Sequence, residues 1–135
     1  MRYDLDFLSE FCREIGIAAR KADSSVLEVS VGNGVVLYFE NAEREDDCSM
    51  GFLDTPWHTH GDVMFSDPSG RYIELDPLNL LGGLKAGQVL VCELHAQGTV
   101  IDRWLTHSEY NDDFGGLLPG ERLVVRRIEV PDKQV

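Results

Sequence analysis

Apolar and polar positions alternate along this chain with two different periods. Over residues 4–21, Phe7, Leu8, Phe11, Cys12, Ile15 and Ala19 recur at three- and four-residue steps, with Ser9, Glu10, Arg13, Glu14 and Arg20 between them. That spacing puts an apolar stripe on one side of an amphipathic helix. Asp4 or Asp6 can cap its start, Arg20 and Lys21 suit the negative end of its dipole, and Gly16 offers an earlier stop as a C-cap. The period then drops to two. Residues 26–31 alternate, Gly32-Asn33-Gly34 turns, and residues 35–39 alternate again. β-Branched and aromatic runs around an Asn-Gly step predict a hairpin, with Leu27, Val29 and Val31 towards the core.

Residues 40–47 are a charged loop, and residues 51–65 are of mixed character. Asp67-Pro68-Ser69-Gly70 has turn composition, residues 71–75 form a short strand, and Asp76-Pro77 opens a short helix as N-cap and first helical residue. Leu78, Leu81 and Leu84 share a face of that helix, with Gly82-Gly83 fraying its end. A second hairpin spans residues 88–96 and 99–106 about Gln97-Gly98, with Leu90, Cys92 and Leu94 on one face. The turn at residues 118–121 introduces a last strand over residues 122–130. These elements predict a single α+β domain over residues 1–135. Its mostly antiparallel sheet is a curled sheet or partial barrel of about six strands, packed by the N-terminal helix, with one short internal helix.

Charge narrows the partners. With 24 acidic and 12 basic residues the 135-residue chain carries a formal charge of −12. Nucleic-acid backbones and anionic membranes call for a basic footprint, so both are disfavoured, whereas a basic protein partner or a cation suits such a surface. Cys12, Cys48 and Cys92 form no C-x-x-C pair, the first residues lack the layout of a secretion signal, and no apolar run reaches membrane-spanning length. A reduced, cytoplasmic setting is the expectation.

The sharpest chemistry lies in Thr55-Pro56-Trp57-His58-Thr59-His60-Gly61-Asp62. Pro56 biases its predecessor towards extended backbone, and in an extended segment His58, His60 and Asp62 line one face. Imidazole and carboxylate suit zinc or another divalent metal, with a further ligand available from Glu74, Glu93, His95 or His107. In the plainer alternative Trp57 is the buried anchor, the histidines are the wet side of the segment and Gly61-Asp62 is a turn. If the Gln97-Gly98 turn has two residues, Glu93 faces Asp102, a pairing of like charges that needs a cation or a cross-sheet arginine. Trp104 beside Arg103 and Asp102 fits a recognition patch as well as a core position. The loop over residues 108–116 is long, polar and aromatic-tipped.

Ser66, Asp67 and Ser69 have no base placed beside them, and Gly32-Asn33-Gly34 is followed by neither helix nor lysine. With no complete catalytic set, the leading expectation is a small acidic binding domain of the inhibitor or immunity type. The alternative is a metal-dependent hydrolase using His58, His60 and Asp62, with Glu74 or Glu93 as base.

Overall fold

A computed structural model describes residues 2–43, 47–112 and 116–128. Helix α1 runs over Leu5–Ile15. The Asp4 carboxylate accepts from the Phe7 amide at 3.1 Å, and Gly16, at φ 80°, closes the helix by donating back to Arg13 and Cys12. The earlier of the two predicted stops is therefore used, and Ala19, assigned above to the helix, opens strand β1 (Ala19–Asp23). The buried stripe is Leu5, Leu8 and Cys12; Phe7, expected on that stripe, is 56% exposed.

The first hairpin is β2 (Val26–Ser30) and β3 (Val36–Asn41). Asn33 and Gly34 both adopt positive φ, the geometry that an Asn-Gly step tolerates best. Leu27, Val29 and Val31 are wholly buried, as their alternation requires. β4 (Cys48–Phe52) and the two-residue β5 (His58–Thr59) complete an antiparallel sheet ordered β1-β2-β3-β4-β5. β6 (Val63–Ser66) pairs with β7 (Tyr72–Leu75) across the Asp67–Gly70 turn.

Asp76 caps α2 (Pro77–Ala86), accepting from Asn79 at 2.8 Å. Gly82 and Gly83 do not fray this helix, which continues to a C-cap at Gly87. A Cβ on Gly83 would stand 2.8 Å from the Val89 side chain, so that glycine lets the helix lie against the strand that follows. Leu80, Leu81 and Leu84 are its buried leucines, while Leu78 is only partly covered.

β8 (Val89–Ala96), β9 (Thr99–His107) and β10 (Glu121–Arg126) form a third sheet ordered β10-β8-β9. Gln97-Gly98 is a two-residue turn with both φ positive. A bulge then slips the ladder, so that Leu94 faces Asp102 and Glu93 faces Arg103. The like-charge pairing considered above is thereby replaced by opposite charges.

The class is α+β, mostly antiparallel, with an N-terminal helix and one internal helix. Among the described residues there are ten strands in three sheets, and the sheets do not close into a barrel. One core cluster unites them, drawing on Leu8, Leu27, Phe39, Met50, Leu81 and Val91 among others. Residues 129 and 130 of the expected last strand, part of the charged loop (44–46) and the aromatic tip of the 108–116 loop (113–115) lie outside the described residues. No described helix is long and apolar enough to cross a membrane.

Candidate functional site

The histidine segment is held against β4. Gly51 pairs with His58, and a Cβ at Gly51 would stand 2.5 Å from the Trp57 carbonyl oxygen, so only glycine admits this approach. Trp57 is partly buried and packs on Phe52 with ring centroids 6.0 Å apart. His58 and His60, on the other side of the segment, are exposed, with their rings edge to face at 5.3 Å. His58 Nδ1 lies 3.1 Å from the Pro56 carbonyl and His60 Nδ1 2.8 Å from that of Cys48. A carbonyl only accepts, as does the Asp47 carboxylate 3.4 Å from His60 Nδ1, so both Nδ1 atoms carry a proton, and in the neutral form of each ring the lone pair falls on Nε2.

Asp62 stands apart from this pair. The backbone turns at Gly61, φ 69°, which ends the period-two alternation one residue too early. Asp62 instead comes close enough to Tyr3 to add to the upward displacement of its phenol, which burial chiefly causes; the Tyr3 hydroxyl donates to Gly61 O at 3.3 Å. Among the described residues no three of His, Cys, Asp and Glu converge as a metal site would require.

Of the other residues considered as ligands, Glu93 and His107 are engaged elsewhere, Glu74 is exposed, and the His95 Nε2 is buried with no hydrogen-bond partner among the described residues. Glu93 is 8% exposed; it accepts from Arg103 Nε at 2.7 Å and lies 3.5 Å from Arg126 Nε. Burial alone would raise its pKa, but the Arg103 hydrogen bond and the Arg126 charge outweigh burial and hold it below the usual range. Arg103 also bonds Asp54. His107 is buried, and its Nδ1 accepts from the amides of Glu109 and Tyr110 at 3.1 and 3.4 Å. Glu74 is exposed on β7. Burial pushes the Cys12 thiol up to about 11 and that of Cys92 to about 12, so neither is a poised nucleophile.

A different surface emerges from the third sheet. The inner sides of β8 and β9 carry Val89, Val91 and Leu105 into the core. By the alternation of the strands, Leu90, Leu94, Trp104, Leu123 and Val125 share the outer face. The first four are half-buried, Val125 is 42% exposed, and none joins the core or packs against it. Cys92 lies fully buried beneath them. Met64 and Tyr72, each 63% exposed, extend this face across β6 and β7.

Between β6 and β9 lies a cleft of about 170 Å³, walled by Met64 and Ser66 on one side and by Trp104 and Thr106 on the other. Tyr110 and Asp112 stand at its rim, and the Arg71 guanidinium lies 5.4 Å from the Tyr110 ring centre. Glu74, Asp102 and Glu121 occupy positions on the same outer side. The sequence did carry a signal for this face. Residues 89–92, Val-Leu-Val-Cys, are apolar without interruption, the pattern of a strand covered on both sides.

No family model, curated protein or solved structure matches this chain.

Proposed function

We propose that this is a protein-binding domain whose working surface is the outer face of the β8–β9–β10 sheet, continued over β6 and β7. The observation that carries this reading is the failure of apolar-in, polar-out alternation. An antiparallel sheet with one solvated face places polar residues there, whereas Leu90, Leu94, Trp104, Leu123 and Val125 are apolar. Large exposed apolar patches rimmed by polar groups mark interaction sites, and tryptophan, tyrosine and methionine are the residues enriched in them. Glu74, Asp102, Asp112 and Glu121 around the face, and the charge of −12, fit a partner that brings an apolar centre and a basic rim. A compact acidic domain of this kind suits an inhibitor or immunity-type role.

The test is a comparison of proteins captured by wild type, Trp104→Lys and Phe7→Lys, with folding of each checked by circular dichroism. Phe7 is an apolar aromatic too, 56% exposed, but sits on α1. Partners lost with Trp104→Lys and kept with Phe7→Lys are the expected result. An unchanged set with Trp104→Lys would sink the proposal.

A second reading rests on the two tethered imidazoles. Metal-ligating histidines commonly donate one ring N–H to a carbonyl and bind through the other nitrogen, which is the state of His58 and His60. They would offer two ligands to a divalent ion such as zinc, and hydrolysis by metal-bound water is the activity that corresponds. Near-stoichiometric metal by plasma mass spectrometry, lost in His58→Ala, supports it; no uptake from excess zinc ends it.

A further inference from the structure

Two strand edges meet at the cleft beside Trp104. Among the described residues β6 pairs only with β7, and β9 only with β8, so no described strand lies on the other edge of either, and these edges form the opposing walls of the cleft. The phase of the hydrogen bonding fixes which groups point into it. Asp67 N donates to Arg71 O and Ser108 N to Gln88 O, which extend the β6–β7 and β8–β9 ladders by one residue each. In antiparallel ladders bonded and non-bonded residues alternate. Phe65, Trp104 and Thr106 therefore turn their amides and carbonyls towards their own partners, while Met64, Ser66 and Leu105 turn theirs towards the cleft.

The same phase is visible in how the β9 edge is capped. Arg103 N, facing the open side, is taken by the Asp102 carboxylate at 2.8 Å. His107 O, also on that side, is taken by the Asn111 side-chain amide at 3.0 Å. Between these two caps the Leu105 main chain meets no partner among the described residues. Exposed edges are ordinarily blunted by charge or brevity. β1, with Arg20 and Lys21, and the two-residue β5 are of that kind. The β9 edge is capped on either side of Leu105, which is 4% exposed and lines the cleft without a main-chain partner among the described residues.

We propose that the cleft accepts an extended segment of the partner protein, which adds as a strand beside β9 and exchanges both main-chain hydrogen bonds with Leu105. This rests on the protein-binding reading above and names how the partner docks. Strand addition draws affinity from the main chain and specificity from alternate side chains. The residue opposite Leu105 points inwards beside Phe65 and His107, whose ring centroids lie 5.8 Å apart, so strand addition requires a small side chain there. Its neighbours point outwards between Met64 and Trp104 and are apolar. Asp112 at the rim selects a lysine or arginine further along the segment.

The experiment selects binders to the full chain from a displayed library of random peptides. The enriched peptides are then synthesised with a single N-methyl group at each position in turn. Strand addition predicts losses of about fivefold or more at every second position and little change between, since only alternate amides face β9. It also predicts weakened binding to Met64→Lys and Asp112→Lys. Equal sensitivity at all positions, with binding still lost in Met64→Lys, overturns strand addition while leaving the face as a docking surface. Peptides that bind Met64→Lys as well as wild type, or no enrichment, overturn the cleft as the site. A wild-type dimer in sedimentation that Met64→Lys makes monomeric would assign the edge to a second copy and overturn the proposed occupant.

Discussion

Replacing Glu93 by glutamine tests the charge network on the inner side of the third sheet. The carboxylate is one-tenth exposed, hydrogen-bonded to Arg103 at 2.7 Å and 3.5 Å from Arg126. Glutamine keeps the shape but removes the charge, and its amide turns a donor towards one of the two guanidinium groups. Removing one partner of a buried ion pair costs about 3–5 kcal/mol. Arg103 retains Asp54 and Arg126 retains the Val31 carbonyl at 3.0 Å, so the lower end, about 3 kcal/mol, applies here. With an unfolding entropy of about 2.1 cal/mol/K per residue over 135 residues, that is a fall in Tm of about 10 °C. Thermal unfolding followed by circular dichroism at pH 7 reads it, with Glu74→Gln, on the exposed face of β7, as the control that stays near wild type. Because Glu93 titrates below its ordinary 4.5, its stabilisation is complete above that pH and lost only as pH falls through the lower folded value. The gap between wild type and variant should close there. A Tm shift no larger than that of Glu74→Gln would refute the network's contribution.

Two further outcomes follow from local geometry. Gly51→Ala should unseat the histidine segment, since the new methyl meets the Trp57 carbonyl at 2.5 Å; faster hydrogen exchange at His58 and Thr59, with the rest of the sheet protected, checks it. Burial lowers the pKa of His107 below 6.5, and its Nδ1 accepts two amides, so its protonation opposes folding. Stability is unpenalised above pH 6.5 and declines as pH falls from there towards the folded value, and a His107→Gln variant should lack that part of the pH dependence in urea unfolding.

Local chemistry was legible wherever a short stretch decides its own conformation. Asp4, Gly16, Asn33-Gly34, Asp76-Pro77 and Gln97-Gly98 all act as their residue types imply, because caps and turns are settled within a few residues. The rotation of α1 was not legible, because whether Phe7 or Leu5 is buried depends on what packs against the helix. The bulge at Leu94 and His95 was equally hidden, and with it the meeting of Glu93 with Arg103. For the candidate site, Pro56 favoured extended backbone but left strand or loop open over residues 51–65, and within residues 55–62 the structure gives a strand at His58–Thr59 alone. The turn at Gly61 was not legible, since a glycine between His60 and Asp62 is compatible with either strand or turn. The outer face was written in residues 89–92, but only the three-sheet arrangement shows that, among the described residues, Leu90, Leu94, Trp104, Leu123 and Val125 lie outside the core cluster.

The two sides of the third sheet are reversed in polarity at one end. Glu93, Arg103 and Arg126 lie on the inner side, while Leu94, Trp104 and Leu123 lie on the outer side. Each inversion is unfavourable alone, one through desolvated charge and the other through apolar surface in water. Together they make sense if the charges fix register. A slip of one residue between β8 and β9 would turn Trp104 inwards and Arg103 outwards, and apolar residues on both faces of β8 would tolerate that slip. The Glu93 carboxylate does not tolerate it, because it meets Arg103 only in the bulged register and draws in Arg126 from β10 at the same time. Held in this register, the sheet presents Trp104 beside the cleft and the Leu105 main chain at its open edge. The buried ion network thus positions the proposed binding face without belonging to it.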